Sequence, residues 1–102
     1  MIVWSKSAYA DLKKAAAFFT EQGNPELGRK ITLYIGRAAE RLAQFPLAGR
    51  KGRVEGTREL PMPKIPYLMV YVFGKPHKIK IVRVLATDGL WPAPPISPEQ
   101  AE

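Results

Sequence analysis

Apolar positions cluster in short runs and helical stripes that divide the chain into six elements. Ile2-Val3-Trp4 is a short apolar run that predicts a first strand, and Ser5 follows as a helix cap whose hydroxyl can accept from the free amides of a first turn. Ala8, Leu12, Ala15 and Phe19 then recur at steps of four, three and four, which places them on one helical face. Asp11, Lys14 and Glu21 fall off that stripe, as expected of a solvated side. Gly23 supplies a stop. Asn24-Pro25-Glu26 combines a capping side chain, a proline at the first helical position and an acid near the positive end of the helix dipole. Leu27, Ile31, Tyr34, Ile35, Ala38, Leu42 and Phe45 form the stripe of this second helix, and Pro46 ends it. Two amphipathic helices joined so closely pack as an antiparallel hairpin.

The second half reads as strands. Leu47 to Gly56 is a Gly-rich basic loop, and Thr57 to Leu60 is a short strand. Pro61, Pro63 and Pro66 interrupt that strand, so the segment is a loop or a sheet edge. Tyr67 to Phe73 is an apolar run suited to a buried strand, Gly74-Lys75-Pro76-His77 is turn chemistry, and Lys78 to Leu85 begins with alternation and becomes apolar except at Arg83. The tail beyond Trp91 carries Pro92, Pro94, Pro95 and Pro98 and cannot be helical throughout. The expected architecture is α+β, in the order β-α-α-β-β-β, with a helical hairpin on one face of a small, mostly antiparallel sheet. Residues 1–91 form the domain and residues 92–102 a Pro-rich C-terminal tail.

Composition sharpens this picture in three ways. A chain of 102 residues holds one domain with a modest core. The absence of cysteine removes disulfides, thiolate metal sites and a Cys nucleophile. Neither a signal peptide nor a membrane-spanning run is legible, so a soluble, cytoplasmic protein is expected. The formal charge of +7, from 16 Lys+Arg against 9 Asp+Glu, favours an acidic partner or nucleic acid.

Several segments together resemble a known family. Val3-Trp4-Ser5 with Ala8 and Asp11-Leu12, then Asn24-Pro25, Phe45-Pro46 and Gly49-Arg50-Lys51-Gly52-Arg53, resemble the first half of RelE/ParE toxins. Gly56-Thr57-Arg58-Glu59-Leu60, Pro66-Tyr67, Val70-Tyr71, Ile81-Val82-Arg83-Val84-Leu85 and Trp91-Pro92 resemble the second half. The resemblance implies the toxin of a type II toxin–antitoxin system, without cofactor or metal, of the kind tied to plasmid stabilisation and growth arrest. It implies an antitoxin whose acidic, amphipathic C-terminal segment docks between hairpin and sheet, and operator DNA reached only through that antitoxin.

The superfamily covers two activities. RelE-like members are ribosome-dependent mRNA endoribonucleases; ParE-like members poison DNA gyrase. A metal-free nuclease needs a base, an acid and cations at the scissile phosphate. RelE-like nucleases usually carry an Arg after the Tyr of the third strand, but Leu68 follows Tyr67 here. Ala86-Thr87-Asp88-Gly89-Leu90 supplies no cation or base after the last strand, and His77, the sole histidine, lies in the opposite turn. The ParE-like reading is therefore preferred, with the nuclease and a non-toxic binding module or corepressor as alternatives. Target-binding candidates are Arg50, Lys51, Arg53, Arg58, Arg83 and Trp91; antitoxin-binding candidates are Leu33, Tyr34 and Arg37. Each has a plainer reading. The four loop cations can be a solvated turn. Arg58 can pair with Glu59 or another acid. Strict alternation puts Arg83 on the face of Ile79, Ile81 and Leu85, so it either meets a buried acid or points into a cleft. Trp91 can pack over the sheet end. Tyr9, Trp4, Tyr67 and Tyr71 read as packing.

Overall fold

A computed structural model describes residues 2–74 and 78–87. The elements are β1 (Ile2–Trp4), α1 (Lys6–Glu21), α2 (Pro25–Gln44), β2 (Arg50–Lys51), β3 (Arg58–Met62), β4 (Tyr67–Gly74) and β5 (Lys78–Ala86). The five strands form one sheet in the order β1-β5-β4-β3-β2, antiparallel except for the β1–β5 pair. The α+β expectation holds. The additional strand is β2, two residues of the basic loop that pair with Arg58 and Glu59.

The caps fall as expected. Ser5 Oγ accepts from the Ala8 amide at 3.0 Å, and Asn24 Oδ1 accepts from the Leu27 amide at 3.2 Å, with Pro25 in the first turn. Gly23 follows α1 at φ 81°, a left-handed conformation that Gly adopts without penalty. The helices approach closely because Gly28 has no side chain: a Cβ there would stand 2.9 Å from the Ala16 carbonyl oxygen.

The hairpin covers one face of the sheet. Ala8, Ile31, Ile35, Ala39 and Leu42 pack on Met62, Met69, Tyr71, Ile79, Ile81 and Val84. Leu68, Val70, Val82 and Leu85 form a separate cluster, against which Val54 and Val72 pack. Leu68 and Val70 alternate with Met69 and Tyr71, so this cluster lies on the opposite face. The strand break expected at Pro61 does not occur. β3 runs through it to Met62, because β4 pairs with β3 on one side only and a proline without N–H is tolerated on the other.

Two expectations fail around β5. The β4–β5 register shifts between Val70 and Tyr71: Val70 faces Arg83, Tyr71 faces Ile81, and Val82 is the extra residue. Alternation is therefore reset, and Ile79, Ile81 and Val84 join the helix-side core while Val82 and Leu85 turn away. Arg83, opposite Val70, keeps the face of Leu85 but leaves that of Ile79 and Ile81, and it meets an acid. Its Nε donates to Asp11 Oδ2 at 2.7 Å and its Nη2 to Asp11 Oδ1 at 3.0 Å. Asp11 thus does not lie on a solvated side; its side chain is 11 % exposed. The bond to Asp11 raises the Arg83 pKa above its ordinary value, against the opposing pull of burial.

The same carboxylate completes the sheet edge. β1 covers β5 only from Ile79 to Ile81. Beyond it the Ser5 amide donates to the Ile81 carbonyl, Ser5 Oγ donates to the Val82 carbonyl at 2.8 Å, and the Val84 amide donates to Asp11 Oδ2 at 2.9 Å. Two side chains of the β1–α1 segment thus take the place of strand residues. Asp11→Ala leaves a largely buried guanidinium and an edge amide without their acceptor. It should cost about 2 kcal/mol and lower Tm by on the order of 10 °C. In a double-mutant cycle, Arg83→Ala added to Asp11→Ala should cost much less than it does alone; additive losses would show that the pair is not coupled.

Candidate functional site

The C-terminal half of α2 presents Tyr34, Ala38, Arg41 and Leu42 along one face, and Phe45-Pro46-Leu47-Ala48 carries that face around the corner into the sheet. Leu60, Pro61, Met62 and Pro63 form the opposite wall. The groove between them has a volume of about 720 Å³. Phe45 and Leu47 are 60 % and 63 % exposed, large apolar side chains that the core does not cover. Phe45 therefore leaves the buried stripe predicted for α2 and lines the groove instead. Arg41 is the single charged residue of the lining among the described residues.

The sheet-side wall is an open edge. β2 pairs with β3 only through Arg58 and Glu59, so from Leu60 onward β3 has no second strand neighbour among the described residues. Pro61 and Pro63 have no N–H, which blunts this edge against an added strand.

The corner is held from inside by Tyr71, which is fully buried. Its hydroxyl accepts from the Gly49 amide at 2.9 Å and donates to the Pro46 carbonyl at 2.7 Å. A Cβ on Gly49 would stand 2.7 Å from the Tyr71 ring and 2.9 Å from the Glu59 carbonyl, so only glycine fits. Tyr71 packs, as its position suggested, and also fastens two loop residues.

Past Gly49 the surface becomes cationic. Arg50, Lys51 and Arg53 are exposed. Glu59, with a side chain only 3 % exposed, accepts from Arg50 Nη2 at 3.3 Å and from the Arg53 amide at 3.0 Å. Arg58 does not pair with Glu59. Its Nη1 donates to the Gly49 carbonyl at 2.6 Å, because neighbouring strand residues point to opposite faces. The Thr57 hydroxyl donates to the Val54 carbonyl at 2.6 Å, and the Gly52 amide to the Thr57 carbonyl at 2.8 Å. The basic loop is thus an ordered, cross-braced turn.

The structure brings Arg50, Lys51, Arg53 and Arg58 together and sets Arg83 apart, on the far side of the sheet order, in its pair with Asp11. Of the predicted antitoxin contacts, Tyr34 lines the groove. Leu33 is 55 % exposed and Arg37 exposed, and neither is in the lining. Arg41, Phe45 and Leu47 escaped sequence reasoning as site residues. The spacing of Tyr34, Ala38, Arg41 and Phe45, at steps of four, three and four, was the available signal. Tyr9 is 54 % exposed rather than packed inside, with the Lys13 ammonium 4.8 Å from its ring centroid. Trp91, His77 and the tail at 92–102 lie outside the described residues. No group of acids and histidines able to hold a metal ion is found among the described residues.

A helical hairpin on one face of a small mixed sheet, with an apolar groove where the second helix meets an open strand edge, defines a small α+β protein. Residues 2–91 match the family model for the ParE toxin of the type II toxin–antitoxin system parDE, and the chain belongs to that family. The protein Y4kP of Sinorhizobium fredii (strain NBRC 101917 / NGR234), provisionally named a toxin, is 32 % identical over 91 residues, covering 89 % of this chain and 92 % of the relative. A solved chain from the chromosomal ParDE toxin–antitoxin system of P. aeruginosa superposes with a TM-score of 0.76 at 25 % identity, over 85 % of this chain and 95 % of that one. No helix among the described residues is long and apolar enough to cross a membrane.

Tyr71→Phe would leave the Gly49 amide and the Pro46 carbonyl without their partner. It should cost about 1–3 kcal/mol. Hydrogen exchange at the Gly49 amide should quicken more than exchange at core amides of β5; unchanged protection at Gly49 would show that the hydroxyl does not hold the corner.

Proposed function

We propose that this chain is a growth-arresting toxin that inhibits DNA gyrase and is kept inactive by a cognate antitoxin whose acidic, amphipathic C-terminal segment occupies the groove. One observation carries this reading: among the described residues the lining is apolar save for Arg41 and the Tyr34 hydroxyl, with no carboxylate or imidazole. Such a site buries a partner's apolar face and accepts one of its carboxylates, which is binding chemistry. RNA cleavage needs an acid, a base and free cations around one phosphate. Three residues that could enter such a set are otherwise engaged, Arg83 with Asp11, Glu59 with Arg50, and the Tyr71 hydroxyl with the Pro46–Gly49 corner, and the exposed cations Arg50 and Lys51 have no acid or base from the groove lining beside them. Membership in the ParE family rather than a nuclease family supports gyrase as the target.

Induction of the chain alone should arrest growth, and the purified protein should block supercoiling by gyrase while leaving ribosome-bound mRNA intact. Cut mRNA with normal supercoiling would replace this reading by the nuclease, and harmless expression would replace it by the corepressor. The partner half of the proposal is tested separately. Phe45→Ala with Leu47→Ala removes two exposed apolar side chains, so Tm should barely move. Each contributes about 1–2 kcal/mol when a partner covers it. Antitoxin affinity should therefore fall on the order of 100-fold, and unchanged affinity would place the antitoxin elsewhere.

A further inference from the structure

The cationic edge beside the groove is not accounted for by a partner that fills the groove. We infer that β2 and the turn from Gly52 to Thr57 form a direct, sequence-independent contact for the phosphate backbone of duplex nucleic acid. This differs from operator binding, which is expected to run through the antitoxin.

Three observations support a polyanion here. Arg50 and Lys51 occupy the outermost strand of the sheet, whose far edge has no strand partner among the described residues, and both are exposed. The Arg50 side chain is 59 % exposed and engages Glu59 through a single nitrogen, which leaves most of its guanidinium to solvent. The turn that carries Arg53 is fixed by the Glu59 carboxylate, by Thr57 and by the anchoring of Arg58 on Gly49. A rigid cationic surface loses little entropy when it binds.

The composition of this edge selects nucleic acid over an acidic protein segment. Protein interfaces depend on large apolar or aromatic anchors at their centre. From Gly49 to Glu59 the sole apolar residue is Val54, and it packs toward Leu68, Val70, Val82 and Leu85. The exposed large apolar residues Phe45 and Leu47 lie before it, in the groove. What remains is arginine, lysine, threonine and glycine, the chemistry of phosphate contacts that position a duplex without reading bases. Of the two acids in this stretch, Glu59 is buried and paired, and Glu55 is the one exposed acid.

The test is fluorescence anisotropy of the full chain with a labelled duplex DNA of arbitrary sequence, titrated between about 50 and 200 mM salt. Binding should weaken linearly in log salt. Each phosphate contact adds about 0.9 to the slope, so Lys51→Gln should lower it by about 0.9 and Arg50→Gln with Lys51→Gln by about 1.8. Lys51 makes no side-chain bond within the described fold, so its change should leave Tm intact, and Arg50→Lys should restore most of the slope. Lys14→Gln with Lys30→Gln removes the same charge from exposed helix positions and should leave the slope nearly unchanged. Absence of salt-dependent binding would overturn the inference. So would equal losses from the helix pair, which would mean diffuse attraction by net charge. Poly-glutamate binding as tightly as DNA would overturn it in favour of an acidic protein segment. None of these readouts depends on toxicity or on the antitoxin.

Discussion

The carboxylate of Asp11 is the point on which this fold turns. β5 is the strand that both ends of the chain must meet, with β1 on one side and β4 on the other. β1 is three residues long and stops at Ile81, leaving the longest strand of the sheet exposed on one edge just where the first helix begins. A longer β1 would finish the ladder but would delay the turn into α1. Ser5 and Asp11 finish it from the helix instead, so that α1 starts at once and is locked to the sheet by polar bonds as well as by Ala8 and Ala15. The charge brought inside by Asp11 is neutralised in two-point geometry by Arg83, the arrangement in which an ion pair recovers most of its desolvation cost.

Fixing α1 fixes α2, because the two helices meet at the bare backbone of Gly28. α2 is four residues longer than α1, running 20 residues against 16. Its apolar face continues from Ile31, Ile35 and Ala39, which lie on the sheet, to Phe45, which does not. The sheet is too narrow beneath that end: β2 is two residues long and gives no cover past Glu59. The groove follows from a mismatch of lengths, a helix that outruns its sheet. Tyr71 keeps the mismatch from collapsing. It spends its hydroxyl on the Pro46 carbonyl and the Gly49 amide, and so holds the corner open at a fixed distance from α2.

Much of this was legible in the sequence. Both helix caps, the hairpin, the order of elements along the chain apart from β2, and the family resemblance follow from local chemistry and spacing, because a cap needs only its own first turn and an amphipathic stripe only its own period. Arg83 was legible as a problem, a charge in an apolar run, but its solution was not. Asp11 stands 72 positions away, and on its own helix it looks like any solvated acid. The bulge opposite Val70 was hidden for a related reason: a single extra residue leaves the composition of β5 unchanged while shifting the phase of everything after Ile81. The site residues divide in the same way. Tyr34 is legible from its helix stripe; Arg41 is not, because a charge on a helix ordinarily means solvent, and Leu33, which widens the apolar face of α2, is exposed but lies outside the lining.

The two unusual surfaces meet at one short corner, and their chemistry is opposed. Pro46, Leu47 and Ala48 belong to the apolar groove; Arg50 and Lys51 begin the cationic edge; Gly49 separates them with its amide and carbonyl both tied down, to Tyr71 and to Arg58. A small domain with little core to spare would ordinarily bury Phe45 and Leu47 rather than leave them 60 % and 63 % exposed. Here the backbone around them is pinned by two side chains, Tyr71 on Pro46 and Gly49 and Arg58 on Gly49, which hold the corner away from the core. The polar bonds of the corner hold an exposed apolar surface in place, with the side chains of Phe45 and Leu47 presented at the groove rather than folded into the core.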